Sequence, residues 1–121
     1  MIEKHQRWVP YDSAVPEAAA PGVTRRVLAY SGEVMCVENQ FEPGAVGSLH
    51  SHPHTQITYV LSGVFSFTID GETRIVRQGD TMLKEDGVEH GCTCLERGAL
   101  LDIFAPMRED FVSPNPYSQN T

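Results

Sequence analysis

Four of the five histidines, His50, His52, His54 and His90, lie between positions 50 and 90, and three crowd into Leu49-His50-Ser51-His52-Pro53-His54-Thr55-Gln56. Imidazole holds divalent transition metals near neutral pH through a nitrogen about 2.0 to 2.1 Å from the ion. Residues two apart on a strand share a face about 6 to 7 Å apart, so His50 and His52 can aim at one point. Pro53 interrupts that strand, after which Gln56 opens the next one and can return an amide oxygen to the same place. His90 follows after enough chain for strands to run out and back. A lone H-x-H reads more simply as two solvated histidines on a surface strand, so the whole set of four donors is what points to a metal. The proline leaves the face of His54 open, and a place at the pocket rim or in solvent is preferred to ligation. Cys92 and Cys94 share a face with His90, where small buried thiols are the simpler reading and zinc thiolates the alternative.

A second group lies near the end of the chain, in Leu100-Leu101-Asp102-Ile103-Phe104-Ala105-Pro106-Met107-Arg108. A carboxylate in so apolar a strand needs a partner or a wet cavity. Asp102 and Phe104 share one face, and Leu101, Ile103 and Ala105 take the other. Arg108, just past the strand, can turn a guanidinium fork toward a carboxylate, although an ordinary Asp102–Arg108 ion pair would also account for both charges.

The elements that must position these groups read as β throughout. From Val23 onward, runs rich in β-branched and aromatic residues recur between Gly, Asp, Asn and Pro punctuation. The expected strands are 25–29, 34–41, 48–51, 56–61, 64–69, 73–77, 81–84, 89–94 and 99–104. Hairpin signals stand at Ser62-Gly63, Asp70-Gly71, Gln78-Gly79-Asp80 and Glu85-Asp86-Gly87. No stretch carries helical periodicity free of glycine and proline. So many short strands must close into a sandwich, jelly roll or barrel to avoid open edges. Residues 1–24, with three prolines among alanines, read as an arm, residues 25–112 as the barrel and residues 113–121 as a tail.

The chain of 121 residues is 40% hydrophobic with a formal net charge of −7, which suits one soluble domain. That acidity, with scattered basic residues, argues against nucleic acid or an anionic membrane surface as partner. No apolar run approaches the roughly 18 to 20 residues that cross a bilayer, so the expected location is the cytoplasm. Three cysteines are too few for a disulfide framework.

Taken together, the spacing is Gly44, five residues, His50-Ser51-His52, three residues, Gln56, six residues, Gly63, and then Gly79, five residues, Glu85-Asp86-Gly87, two residues, His90. It resembles the paired motifs of the cupin superfamily. The resemblance implies a double-stranded β-helix, or jelly-roll barrel, holding one divalent metal through His50, His52, Gln56 and His90. The usual cupin glutamate is Gln56 here, the second-motif proline is Glu85, and Cys94 stands where asparagine is common. Three imidazoles and an amide leave the ion its full +2, which suits an anionic ligand and Lewis-acid work better than oxygen activation. This donor set accepts nickel, zinc, iron, manganese or cobalt.

Within the cupins, His50 through Gln56 and the ending Asp102-Ile103-Phe104-Ala105-Pro106-Met107-Arg108-Glu109-Asp110-Phe111 resemble the KdgF group of pectin and alginate breakdown. That resemblance implies ring opening of 4,5-unsaturated monouronates, with a small anionic sugar acid as substrate and Asp102, Phe104 and Arg108 as active-site residues. The competing readings are a cupin dioxygenase, a non-catalytic sugar-acid sensor, and a lyase or isomerase on another acid. Apolar residues in the arm and the habit of cupins imply a homodimer, the arm pairing with a neighbour's sheet.

Overall fold

The computed structural model describes residues 2–112. A short 3-10 turn, Tyr11–Ser13, precedes eight strands: β1 (Glu17–Ala20), β2 (Val23–Tyr30), β3 (Met35–Phe41), β4 (Val46–His50), β5 (Thr55–Ile69), β6 (Glu72–Arg77), β7 (Thr81–Lys84) and β8 (His90–Ala105). A second 3-10 turn, Glu109–Phe111, follows. Every pairing is antiparallel, along the path β1-β2-β3-β8-β5-β6 with β4 on β8 and β7 on β5. Among the described residues, no helix is long and apolar enough to cross a membrane.

The two long strands create the barrel by belonging to both of its walls. The first half of β8 pairs β4 and its second half pairs β3, while β5 pairs β7 first and β6 later. Both bend at one place, where the register slips between Val60 and Phe65. Ser62-Gly63, expected as a hairpin, is therefore a bulge inside β5. A positive φ of 83° at Gly63 suits a bulge as well as a turn. A Cβ on Gly63 would stand 2.5 Å from the Arg97 carbonyl, and one on Gly98 would run into Ser62, so both walls need glycine at the bend. For the same reason the strands expected at 56–61 and 64–69 are one, as are those at 89–94 and 99–104. Asp70-Gly71 does close a hairpin, with φ positive at both residues. The other two glycine turns instead carry the chain from β6 to β7 and from β7 to β8, pairs that do not bond each other.

Part of the expected arm joins its own barrel, since β1 pairs with β2 and β2 already begins at Val23. The expected tail, residues 113–121, lies outside the described residues. Inside the walls, one apolar cluster gathers Val23, Phe41, Val60, Phe65, Phe67 and Leu100 with others, and a second holds Met35, Val37, Phe104 and Met107. Between them runs a polar belt. On β8 it is Asp102, one alternation from Leu100 and from Phe104. On β3 it is Asn39, between Val37 and Phe41.

Candidate metal centre

The mouth of the barrel assembles from three chain segments. His50 is the last residue of β4 and His90 the first of β8, and the two are direct register partners. Their rings lie 4.5 Å apart between centroids. His52 does not share a strand with His50, because β4 ends one residue earlier. It sits in the following loop, where its carbonyl accepts from the amides of His54 and Gly87, and its ring lies 5.4 Å from that of His50 and 5.0 Å from that of His90. Ligand nitrogens of His50, His52 and His90 all lie within 4.8 Å of one another.

The backbone orients two of these rings. His50 Nδ1 donates to the Ser48 carbonyl at 2.6 Å and His90 Nδ1 to the Val88 carbonyl at 3.0 Å, which leaves each Nε2 as a free lone pair. Burial pushes the His52 imidazole down to about 4, helped by the Arg108 guanidinium and the neighbouring rings. Burial also takes His90 to about 4, against the opposing pull of the Val88 carbonyl. Both are therefore neutral at pH 7, the form that binds metals.

Gln56 enters from the start of β5 with its side chain buried. Its Nε2 donates to Asp102 Oδ1 at 2.9 Å, and its Oε1 lies 3.1 Å from His52 Nε2. Two donors bound at right angles about 2.1 Å from one ion would stand about 3 Å apart, so this pair is spaced as neighbouring ligands. A carboxylate only accepts, so Asp102 forces the amide to turn its nitrogen inward and its oxygen toward the histidines. The donor set fits a divalent ion: three imidazoles and an oriented carbonyl oxygen.

Asp102 is 5% exposed and held by three donors. Oδ1 accepts from Gln56 and, at 2.5 Å, from the Thr58 hydroxyl, while Oδ2 accepts from Asn39 Nδ2 at 2.7 Å. It makes no ion pair with Arg108. That guanidinium instead takes the Asp110 carboxylate side-on, Nε to Oδ1 at 3.0 Å and Nη2 to Oδ2 at 2.8 Å. Among the described residues, its Nη1 edge has no partner. The Phe104 ring lies 5.2 Å from Arg108 Cζ and 5.7 Å from the His52 ring, which makes it a wall between cation and histidines. Phe111 packs over it and lies 4.3 Å from the same Cζ.

His54 stays outside the cluster, its Nε2 donating to the Met107 carbonyl at 3.1 Å and so tying the loop to the Arg108 segment. Cys94 belongs to the apolar cluster and Cys92 packs against it. Burial pushes the Cys92 thiol up to about 12, which keeps it from serving as a thiolate ligand. Sequence reasoning missed Asn39, Thr58, Lys84 and Asp110. Only Asp110, two residues from Arg108, carried any local signal.

Residues 37–104, more than half of the chain, match the Cupin domain family. The chain belongs to the cupin family. This cupin is 37% identical over 109 residues to the pectin degradation protein KdgF of Dickeya dadantii, an alignment covering 88% of this chain and 99% of that protein. It superposes on an RmlC-like cupin of Shewanella frigidimarina with a TM-score of 0.87 at 33% identity, over 91% of this chain and 99% of the other. KdgF from a Halomonas species gives a TM-score of 0.82 at 33% identity, over 86% and 98%. The cupin thus stands in the KdgF group.

Proposed function

We propose that this cupin is a metal-dependent enzyme that opens 4,5-unsaturated monouronates, the products of pectin or alginate lyases, to their linear keto form. The observation that carries the reading is the meeting of three imidazoles and an oriented amide oxygen beside a buried guanidinium, in a chain akin to a pectin degradation protein. A divalent ion on His50, His52, Gln56 and His90 would supply a Lewis acid for substrate oxygens, with nickel, zinc, iron, manganese or cobalt all compatible.

The substrate is a cyclic enol ether bearing a carboxylate. Opening it removes the proton of the C1 hydroxyl and breaks the bond from C1 to the ring oxygen, leaving an aldehyde and an enolate. The enolate takes a proton at C4 and becomes the C5 ketone, so product and substrate are isomers. Arg108 holds the carboxylate through its Nη1 edge while Asp110 fixes the guanidinium plane. Phe104 packs against the sugar ring. Asp102 has three of its roughly four lone-pair sites filled, and the last, on Oδ2, takes the hydroxyl proton and returns it to C4. Such help is worth about 10² to 10⁴ in rate.

Metal-loaded protein mixed with unsaturated galacturonate should bleach the ultraviolet absorbance of the conjugated acid without consuming oxygen. Failure to bleach at full metal occupancy overturns the reading, and oxygen uptake would favour a dioxygenase instead. The functional unit is a homodimer built on the open edge of β1 and the exposed Trp8, Tyr11 and Val15, and light scattering should report twice the chain mass.

A further inference from the structure

Lys84 is 1% exposed, the most enclosed charge among the described residues, and the chemistry above makes no use of it. It projects inward from the end of β7, where it is the register partner of Gln56. Its Nζ lies 4.6 Å from the centre of the Phe67 ring and donates to Thr58 Oγ1. An ammonium has only protons to offer, so the single hydroxyl hydrogen of Thr58 goes the other way, to Asp102 Oδ1. The same carboxylate oxygen receives Gln56 Nε2, whose amide oxygen faces His52. A directed chain therefore runs from a buried cation through one hydroxyl to a buried anion, and from there through one amide to the metal position.

We propose that Lys84 is the built-in counter-ion of Asp102 and thereby sets the net charge of the metal centre. The inference rests on the reading of His50, His52, Gln56 and His90 as metal ligands. A lone carboxylate one hydrogen bond behind the amide ligand would cancel part of the ion's charge, much as a glutamate in place of Gln56 would. Bridged to Lys84, Asp102 forms a neutral unit, keeps its acceptor oxygens, and leaves the full +2 for an anionic substrate. The other titratable groups close to the ammonium are His90 and Cys92, an imidazole and a thiol that are both neutral at pH 7, so Asp102 is the anion that balances it.

The test is titration of metal-free protein with nickel against a competing chelator, which needs no turnover. Lys84→Met should bind nickel on the order of tenfold tighter, and Asp102→Asn on the order of tenfold weaker, because each changes the charge near the ion by one unit in opposite directions. The double variant should return to within roughly threefold of wild type. Unchanged affinity in Lys84→Met, or single variants that move the same way, overturns the proposal. A double variant as weak as Asp102→Asn overturns it too, since Asp102 would then act by placing Gln56 and not by charge. If Lys84→Met does not fold, the contrast between Asp102→Asn and the double variant decides. Wild-type protein that binds no nickel, zinc or manganese refutes the metal reading itself, a result distinct from all of these.

Discussion

Gln56 is where this cupin departs from the family's usual glutamate, and Asp102 supplies the reason. An amide can donate to a carboxylate and still present an oxygen to an ion, whereas a glutamate at position 56 would set two carboxylates 2.9 Å apart. At an effective dielectric of about 20, their repulsion at that separation is on the order of 5 kcal/mol, or about four pK units. Local relaxation and sharing of one proton reduce this, so Gln56→Glu should destabilise the metal-free protein by about 3 kcal/mol at pH 7. For a domain of this size that corresponds to a fall in Tm of about 10 °C. The sign with pH follows from linkage. The shared carboxyl titrates above its unfolded value, so the folded variant keeps a proton that the unfolded chain releases. Its deficit against wild type is smallest near pH 4 and widens as pH rises through neutrality. Excess divalent metal should narrow the gap by neutralising the introduced carboxylate. Thermal unfolding of both metal-free proteins across that pH range is the assay. Curves that stay parallel at every pH would mean that Gln56 does not touch Asp102, and the oriented amide would have to be given up.

Arg108→Met should raise KM for the unsaturated uronate about 10- to 100-fold with a smaller effect on kcat, since a charge-assisted hydrogen bond is worth about 1.5 to 3 kcal/mol. An unchanged KM in steady-state assays would remove the carboxylate clamp. His52 and His90 titrate near 4 when folded and near 6.5 when unfolded, so the metal-free protein should gain stability as pH rises between those values. Thermal unfolding of the metal-free protein across that range is the check, and a Tm that does not rise with pH there would show these two imidazoles to be solvated. Gly98→Ala should cost about 3 kcal/mol or more, because its Cβ meets the Ser62 carbonyl and lies 2.6 Å from Gly63 Cα. A Tm within a few degrees of wild type would show that the two walls do not bend at that contact.

The meeting of His50, His52 and Gln56 was legible because it is written as short spacings bounded by glycines at fixed distances. The all-β class was legible because turn residues recur at strand length. The bend was not, since Ser62-Gly63 carries the same positive-φ signal whether the chain reverses or bulges. His52 was expected on the strand of His50 and lies just beyond its end, yet the two rings still meet, because the loop is held by the amides of His54 and Gly87. By charge alone, an ordinary ion pair between Arg108 and Asp102 was the alternative to separate roles for the two. The fold gives Arg108 the nearer Asp110 and surrounds Asp102 with neutral donors and, through Thr58, with Lys84.

Residue types and local periodicity were enough to say that this chain makes strands and gathers imidazoles, because those properties depend on neighbours within a few positions. Which charges face one another depended on pairing between strands tens of residues apart. Lys84 closes Thr81-Met82-Leu83-Lys84, a run whose last residue looks like a solvated lysine until β7 is laid against β5 and the barrel shuts over it. Burial then turns an ordinary surface charge into one that must find an anion, and only the closed barrel brings Asp102 within reach.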